Sequence, residues 1–129
     1  MPKIETVTIR TKYISKPGQI ISVIGNVKLF GSWEPLRAKK MTWNENNIWT
    51  LTLPWEEMKD CEFKFLMKER GYLRHWSIGK NKVFKKEKVL DQEAFNALRT
   101  NINDCKVQID GTDLKYTCGF HDMDVLHKE

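Results

Sequence analysis

Short stretches in which hydrophobic and polar residues alternate, separated by turn residues, fill most of the chain up to about residue 90. Alternation with a period of two is typical of strands with one buried face. Residues 19–24 are instead mostly apolar on both faces and rich in β-branched residues, which predicts a central strand. The other predicted strands lie in residues 6–13, 41–43, 48–53, 61–68, 72–76 and 83–84. Many short strands separated by turns predict an all-β fold, either a sandwich or a small barrel.

The clearest alternation is that of residues 61–68. Phe63 and Phe65 share one face with a period of two, and Lys64 lies on the opposite face. The pattern therefore predicts that Lys64 points away from the core that the two phenylalanines help to build.

The pattern changes after residue 90. Asp91 suits an N-cap position, and Leu90 and Phe95 lie at the two positions of a hydrophobic staple around it. These features predict a short helix from about Gln92 to Thr100.

A hairpin is predicted next, over residues 106–117. A two-residue turn would pair Ile109 with a threonine, whereas a four-residue loop would pair Ile109 with Leu114. We prefer the second register because it sets apolar side chains against each other, and it also places Cys105 opposite Cys118. We therefore divide the chain into an all-β domain, residues 1–90, and an extension, residues 91–129, packed on the same domain.

Composition and charge limit the function classes. The chain has 129 residues, enough for one domain, and a formal net charge of +5. The N-terminal residues contain no apolar run typical of a signal peptide, and no stretch approaches the ~20 apolar residues of a membrane span. We therefore expect a cytoplasmic protein whose cysteines are thiols. The cysteines and histidines show no zinc-binding spacing, and we expect no metal or other cofactor.

Two tryptophans and a lysine carry the candidate chemistry. Trp33 lies in a Gly-Ser-Trp-Glu-Pro loop without periodic apolar partners, and Trp76 precedes a turn. An exposed indole stacks on the apolar face of a sugar ring, and a nearby lysine such as Lys64 donates to the hydroxyls. Composition alone leaves open whether Trp33 and Trp76 are exposed or buried, whereas the alternation around Trp49 predicts a core residue.

The order and spacing of several motifs resemble one known family. Over about residues 5–88 the chain resembles the starch-binding domains of carbohydrate-binding module family 20, which implies an immunoglobulin-like antiparallel β-sandwich. The motifs that carry the resemblance are Gly25-Asn26, Leu29-Phe30-Gly31-Ser32-Trp33-Glu34-Pro35, Ile48-Trp49, Phe63-Lys64-Phe65 and Trp76-Ser77-Ile78-Gly79-Lys80-Asn81.

The resemblance also implies a carbohydrate site. It implies that Trp33 and Trp76 of this chain are the two stacking residues, that Lys64 and Asn81 contact the same sugar, and that Trp49 is structural. The ligands it implies are α-glucans such as starch, glycogen, maltooligosaccharides and cyclodextrin.

This sequence departs from the family pattern at several positions. An acidic residue usually follows the second tryptophan, and this chain has Ser77 there; the usual arginine after Asn81 is Lys82. A second site in many members uses a tyrosine where this chain has Pro17. Trp43 is the candidate aromatic residue for such a second site.

We therefore expect a non-catalytic module that binds starch or glycogen and tethers itself, or a partner protein contacting its C-terminal extension, to the polymer. No nucleophile, metal or phosphate-loop motif is present.

Two alternatives stay open. The basic run from Lys80 to Lys88, with exposed aromatic rings, would suit single-stranded nucleic acid, and the same charge would favour phosphorylated glucan. A protein-interaction module is the other alternative.

Overall fold

The computed structural model describes residues 3–98 and 104–121, and for Leu98 it describes the backbone only. Ten strands, short α-helices and short 3-10 helices make up these ranges. The strands are β1 Thr6–Lys12, β2 Gln19–Gly25, β3 Lys39–Lys40, β4 Thr42–Asn44, β5 Ile48–Pro54, β6 Cys61–Glu69, β7 Tyr72–Trp76, β8 Lys82–Phe84, β9 Cys105–Asp110 and β10 Asp113–Cys118. The helices are α1 Lys86–Val89 and α2 Gln92–Leu98, with 3-10 turns at Lys28–Trp33, Pro35–Arg37, Glu45–Asn47 and Trp55–Glu57.

The strands form two five-stranded sheets. The first sheet has the order β4-β5-β1-β10-β9, and the second has the order β3-β2-β6-β7, with β8 also paired to β6. The predicted antiparallel β-sandwich is confirmed, with the exception that β1 and β10 pair in parallel. None of the described helices has the length and apolar character required to cross a membrane.

The core lies between the two sheets and is rich in aromatic rings. Phe63 of the second sheet contacts Tyr116 of the first, with ring centroids 6.2 Å apart. Trp49 is 3% exposed, which confirms that it is a core residue. The inward face of β6, with Phe63 and Phe65 fully buried, leaves Lys64 on the outward face as predicted.

The C-terminal hairpin extends the first sheet, because its strand β10 lies between β1 and β9. Ahead of it, the carboxylate of Asp91 accepts the backbone N–H groups of Glu93 and Ala94 at 2.9 and 3.1 Å, which confirms the N-cap of α2. Helix α2 is described as far as Leu98, so the predicted end at Thr100 lies outside the described residues. The division of the chain at residue 90 stays a prediction.

The hairpin register is the predicted one, with Ile109 opposite Leu114 and Cys105 opposite Cys118. The predicted four-residue loop is wrong, because Asp110 also pairs with Asp113 and leaves a two-residue turn of Gly111 and Thr112. Both cysteines are buried, and they form a disulfide. The expectation of free thiols is therefore wrong for this pair, because the register brings the two sulfur atoms within bonding distance. Cys61 is a buried free cysteine. The cytoplasmic location stays a prediction.

Candidate functional site

The outward face of the second sheet carries a buried row of side chains. Leu66 on β6 lies opposite Trp76 on β7 and opposite Ser22 on β2. Leu66 and Ser22 are 0% and 1% exposed although the alternation of their strands directs them away from the inter-sheet core. Side chains on the outside of this sheet therefore cover them, and Trp76 is the next residue in the same row.

Trp76 is positioned by the residue that follows it. The Ser77 N–H donates to the Phe65 carbonyl at 2.8 Å, and the Ser77 hydroxyl accepts the Phe65 N–H at 3.0 Å. Ser77 is buried, so its side chain belongs to the strand pairing and does not extend towards a ligand. These two bonds fix the end of β7 against β6.

Trp33 projects from a 3-10 segment whose backbone is unusual. Gly31 has a φ of 81° and Trp33 a φ of 66°, both in the left-handed region. A Cβ on Gly31 would lie 2.6 Å from the backbone of Arg37, so only glycine fits. The segment is tied to the sandwich by Phe30, which is fully buried and contacts Phe63.

These two elements bring Trp33 and Trp76 into contact. Their ring centroids are 6.5 Å apart and their planes differ by 28°. Both side chains are half-buried, so part of each indole is accessible. The pair is too widely spaced for full face-to-face overlap, which leaves an offset aromatic surface at the edge of the sheet.

The two predicted polar residues lie on the same face of the sheet. Lys64 is two residues from Leu66 along β6 and is partly exposed. Asn81 donates its side-chain N–H to the Glu62 carboxylate at 3.1 Å, and Glu62 lies on the same face of β6 as Lys64. The structure therefore places all four predicted residues on one face, with the tryptophans in direct contact.

A family model described as a starch binding domain matches residues 5–95 of this sequence. The chain belongs to the starch-binding domain family, carbohydrate-binding module family 20. It is therefore a carbohydrate-binding module. No curated protein sequence matches the chain.

Solved structures with a similar fold include a family 20 module and two larger enzymes. The family 20 module of a maltotetraose-forming amylase from Pseudomonas saccharophila matches with a TM-score of 0.57 and 18% identity, over 88% of this chain and 97% of that one. A gamma-CGTase from an alkalophilic Bacillus clarkii matches with a TM-score of 0.59 and 20% identity, over 91% of this chain and 15% of that one. A family 15 glucoamylase from Hypocrea jecorina matches with a TM-score of 0.55 and 20% identity, over 65% of this chain and 15% of that one. The chain thus spans about 15% of the length of these two enzymes.

The candidate second site of this starch-binding domain lies elsewhere. Trp43 is on β4 of the first sheet and is 51% exposed, with its indole N–H donating to the Asn47 side chain at 3.2 Å. It lines a cavity of about 390 Å³ together with Pro17, Ile20 and Trp49. Trp43 therefore lies in a concave part of the surface that Pro17 helps to form.

The basic run from Lys80 to Lys88 does not form one continuous surface. Lys82 is 4% exposed and forms an ion pair with Asp104. The Lys86 ammonium lies 4.9 Å from the ring centroid of Trp55, a cation–π distance. Strand β8 thus directs one lysine of the run inward, and single-stranded nucleic acid stays an alternative ligand.

Proposed function

We propose that this starch-binding domain binds starch or glycogen by stacking sugar rings on the indoles of Trp33 and Trp76. The observation that carries the proposal is the contact between these two half-exposed indoles on a chain of this family. Lys64 and Asn81 lie on the same sheet face and supply donors to the sugar hydroxyls.

The physical basis is the burial of apolar surface from both partners. An indole presents a large rigid face and loses little conformational entropy on binding, because its side chain has two rotatable torsions. A shallow surface of this kind supports weak binding, about 4 kcal/mol or a millimolar constant per site. Its function is to tether the protein, or whatever is attached to it, to a polymer that offers many such sites.

Trp43 is proposed as a second contact with the same polymer. Its exposed indole lies on the first sheet, whereas Trp76 lies on the second. A single short oligosaccharide therefore cannot stack on both indoles at once. Trp43→Ala should leave the affinity for a soluble oligosaccharide unchanged at the main site and weaken retention on granular starch.

The test is a titration of tryptophan fluorescence with β-cyclodextrin, for the parent, for Trp76→Ala and for Trp43→Ala, which removes the proposed second contact and leaves the main site in place. Each titration is run at low and at high salt, and circular dichroism checks that each variant is folded. We expect a saturable change in the parent and in Trp43→Ala, little affected by salt, that disappears in Trp76→Ala.

Two outcomes would overturn the proposal. One is no change up to high millimolar ligand in the folded parent. The other is an equal response in the parent and in Trp76→Ala. A steep fall in affinity with salt would indicate instead an ionic ligand such as nucleic acid.

A further inference from the structure

The outward face of the second sheet carries three lysines around the indole pair. Lys64 and Lys68 are both on β6, where they lie opposite Ile24 and Ile20 of β2, respectively. Lys40 on β3 lies opposite Ser22, in the same row as Leu66 and Trp76. The alternation of β2, β3 and β6 places these three lysines on the face that also carries Trp76.

Sheet geometry sets how near these lysines lie to the indoles. Leu66 is directly opposite Trp76, and Lys64 and Lys68 are each two residues from Leu66. With strands about 4.8 Å apart and about 3.3 Å per residue, the Cα atoms of Lys64 and Lys68 lie about 8 Å from that of Trp76, and the Cα atom of Lys40, three strands away in the same row, lies about 14 Å from it. The long lysine stem therefore lets an ammonium reach a group attached to a sugar that stacks on the indole.

Within the part of the chain that the structure describes, the three lysines lie beyond ion-pair distance of any carboxylate. Lys40, Lys64 and Lys68 form no ion pair with any residue in the ranges 3–98 and 104–121. Glu62 is on the same face and accepts a hydrogen bond from Asn81. Glu69, at the end of β6, contacts Arg74 at 3.6 Å.

The surface around the indoles thus has more cations than a neutral sugar needs. The hydroxyls of a glucose ring are neutral, so donors such as Lys64 and Asn81 can bind them without further positive charge. A phosphate monoester carries a charge of about −1.5 to −2 at pH 7 and three acceptor oxygens, which match two or three ammonium groups. Carboxylate or sulfate substituents, with a single charge, would leave more of this positive charge unmatched.

We propose that the ligand of this site is a phosphorylated α-glucan, with Lys40, Lys64 and Lys68 binding the phosphate of a sugar on or beside the indole pair. This rests on the proposed function, since it assumes that the sugar stacks on Trp33 and Trp76. The inference depends on the three sheet-face lysines, and the Lys80–Lys88 run plays no part in it.

The experiment compares maltoheptaose with maltoheptaose carrying one 6-phosphate, by calorimetric titration at 50 and 300 mM salt. The variants are Lys40→Gln/Lys68→Gln, which leaves Lys64 in place, and the matched control Lys12→Gln/Lys106→Gln, which removes two exposed lysines of the first sheet. We expect the parent and the control to bind the phosphorylated ligand roughly threefold to tenfold more tightly at the lower salt. The sheet-face variant should lose most of that preference and keep its affinity for the neutral ligand.

The outcomes separate the two proposals. Equal affinities of the parent for both ligands would overturn the phosphate inference and leave glucan binding intact. An equal loss of preference in the control variant would also overturn it, because net charge would then be the cause. Displacement of the phosphorylated ligand by an equal concentration of single-stranded DNA would overturn it in favour of any polyanion. If neither oligosaccharide binds the folded parent, the proposed function itself fails.

Discussion

Ser77 and Phe65 exchange two hydrogen bonds across strands β6 and β7. The backbone N–H of Ser77 donates to the Phe65 carbonyl at 2.8 Å, and the Phe65 N–H donates to the Ser77 hydroxyl at 3.0 Å. Ser77, which follows the candidate stacking residue Trp76, therefore stabilises the pairing of β6 with β7, although the family pattern has a carboxylate at this position.

Ser77→Ala should destabilise the fold, because it leaves the buried Phe65 N–H without its acceptor. A buried unsatisfied donor costs about 1–3 kcal/mol. The free energy of unfolding in urea measures the loss, with Ser15→Ala, a serine outside the strands, as control. Equal stability of the two variants would show that the hydroxyl contributes nothing.

Gly31→Ala should displace the segment that carries Trp33. Gly31 has a φ of 81°, and an added Cβ would meet the Arg37 backbone at 2.6 Å. We expect a loss of about 1–3 kcal/mol in stability and a clear loss of cyclodextrin binding. Gly111→Ala is the matched control, because its φ is 61° and nothing lies within 4 Å of the added Cβ. Unchanged sugar binding by folded Gly31→Ala would contradict this account of Trp33.

Asp104→Asn should remove the counter-charge of a buried lysine. The side chain of Lys82 is 5% exposed and that of Asp104 is 23% exposed. Breaking such a pair leaves an uncompensated ammonium and costs about 3 kcal/mol. The surface pair of Lys115 and Asp110 provides the control, since Asp110→Asn should cost less than about 1 kcal/mol. Urea midpoints that fall equally in both variants would argue against burial as the cause.

Reduction should destabilise the sandwich by opening the disulfide between Cys105 and Cys118. The bridge closes a loop with a sequence separation of 13, and bridges of this size contribute about 2–4 kcal/mol. Unfolding is measured with and without reductant, and in Cys105→Ser/Cys118→Ser. Thiol titration of the denatured, unreduced protein should find one thiol among the three cysteines. Three thiols would contradict the bridge.

Stability should decrease above pH 9 through Cys61. Burial first, and then the nearby Asp60 and Glu62, raise the pKa of the Cys61 thiol from 9.0 to about 12. The folded state therefore keeps a proton that the unfolded state loses, so this contribution is complete below pH 9 and is lost as the pH rises towards 12.

The measurement is the urea midpoint between pH 8 and 11 for the parent and for Cys61→Ala. The variant should show a shallower decrease with pH. A residual slope is expected, because burial also raises the pKa of the Tyr116 phenol. Identical slopes in the parent and the variant would contradict the assignment to Cys61.

The sequence by itself determined every described strand except β3, the outward direction of Lys64, the hairpin register and the N-cap at Asp91. Each depends on local alternation or on a capping residue, which act over a few neighbouring positions. The family motifs also selected Trp33, Trp76, Lys64 and Asn81 as candidates.

Only the tertiary structure decided which of these features come together. The contact of Trp33 with Trp76, the inward direction of Lys82 and the bridge between Cys105 and Cys118 join residues far apart in sequence or on different elements. The same holds for the lysines around the indoles, because only the pairing of β3, β2, β6 and β7 brings Lys40 and Lys68 onto the sheet face that carries Trp76. Strand order is set by the packing of a shared core, and alternation within one strand does not specify which strands flank it.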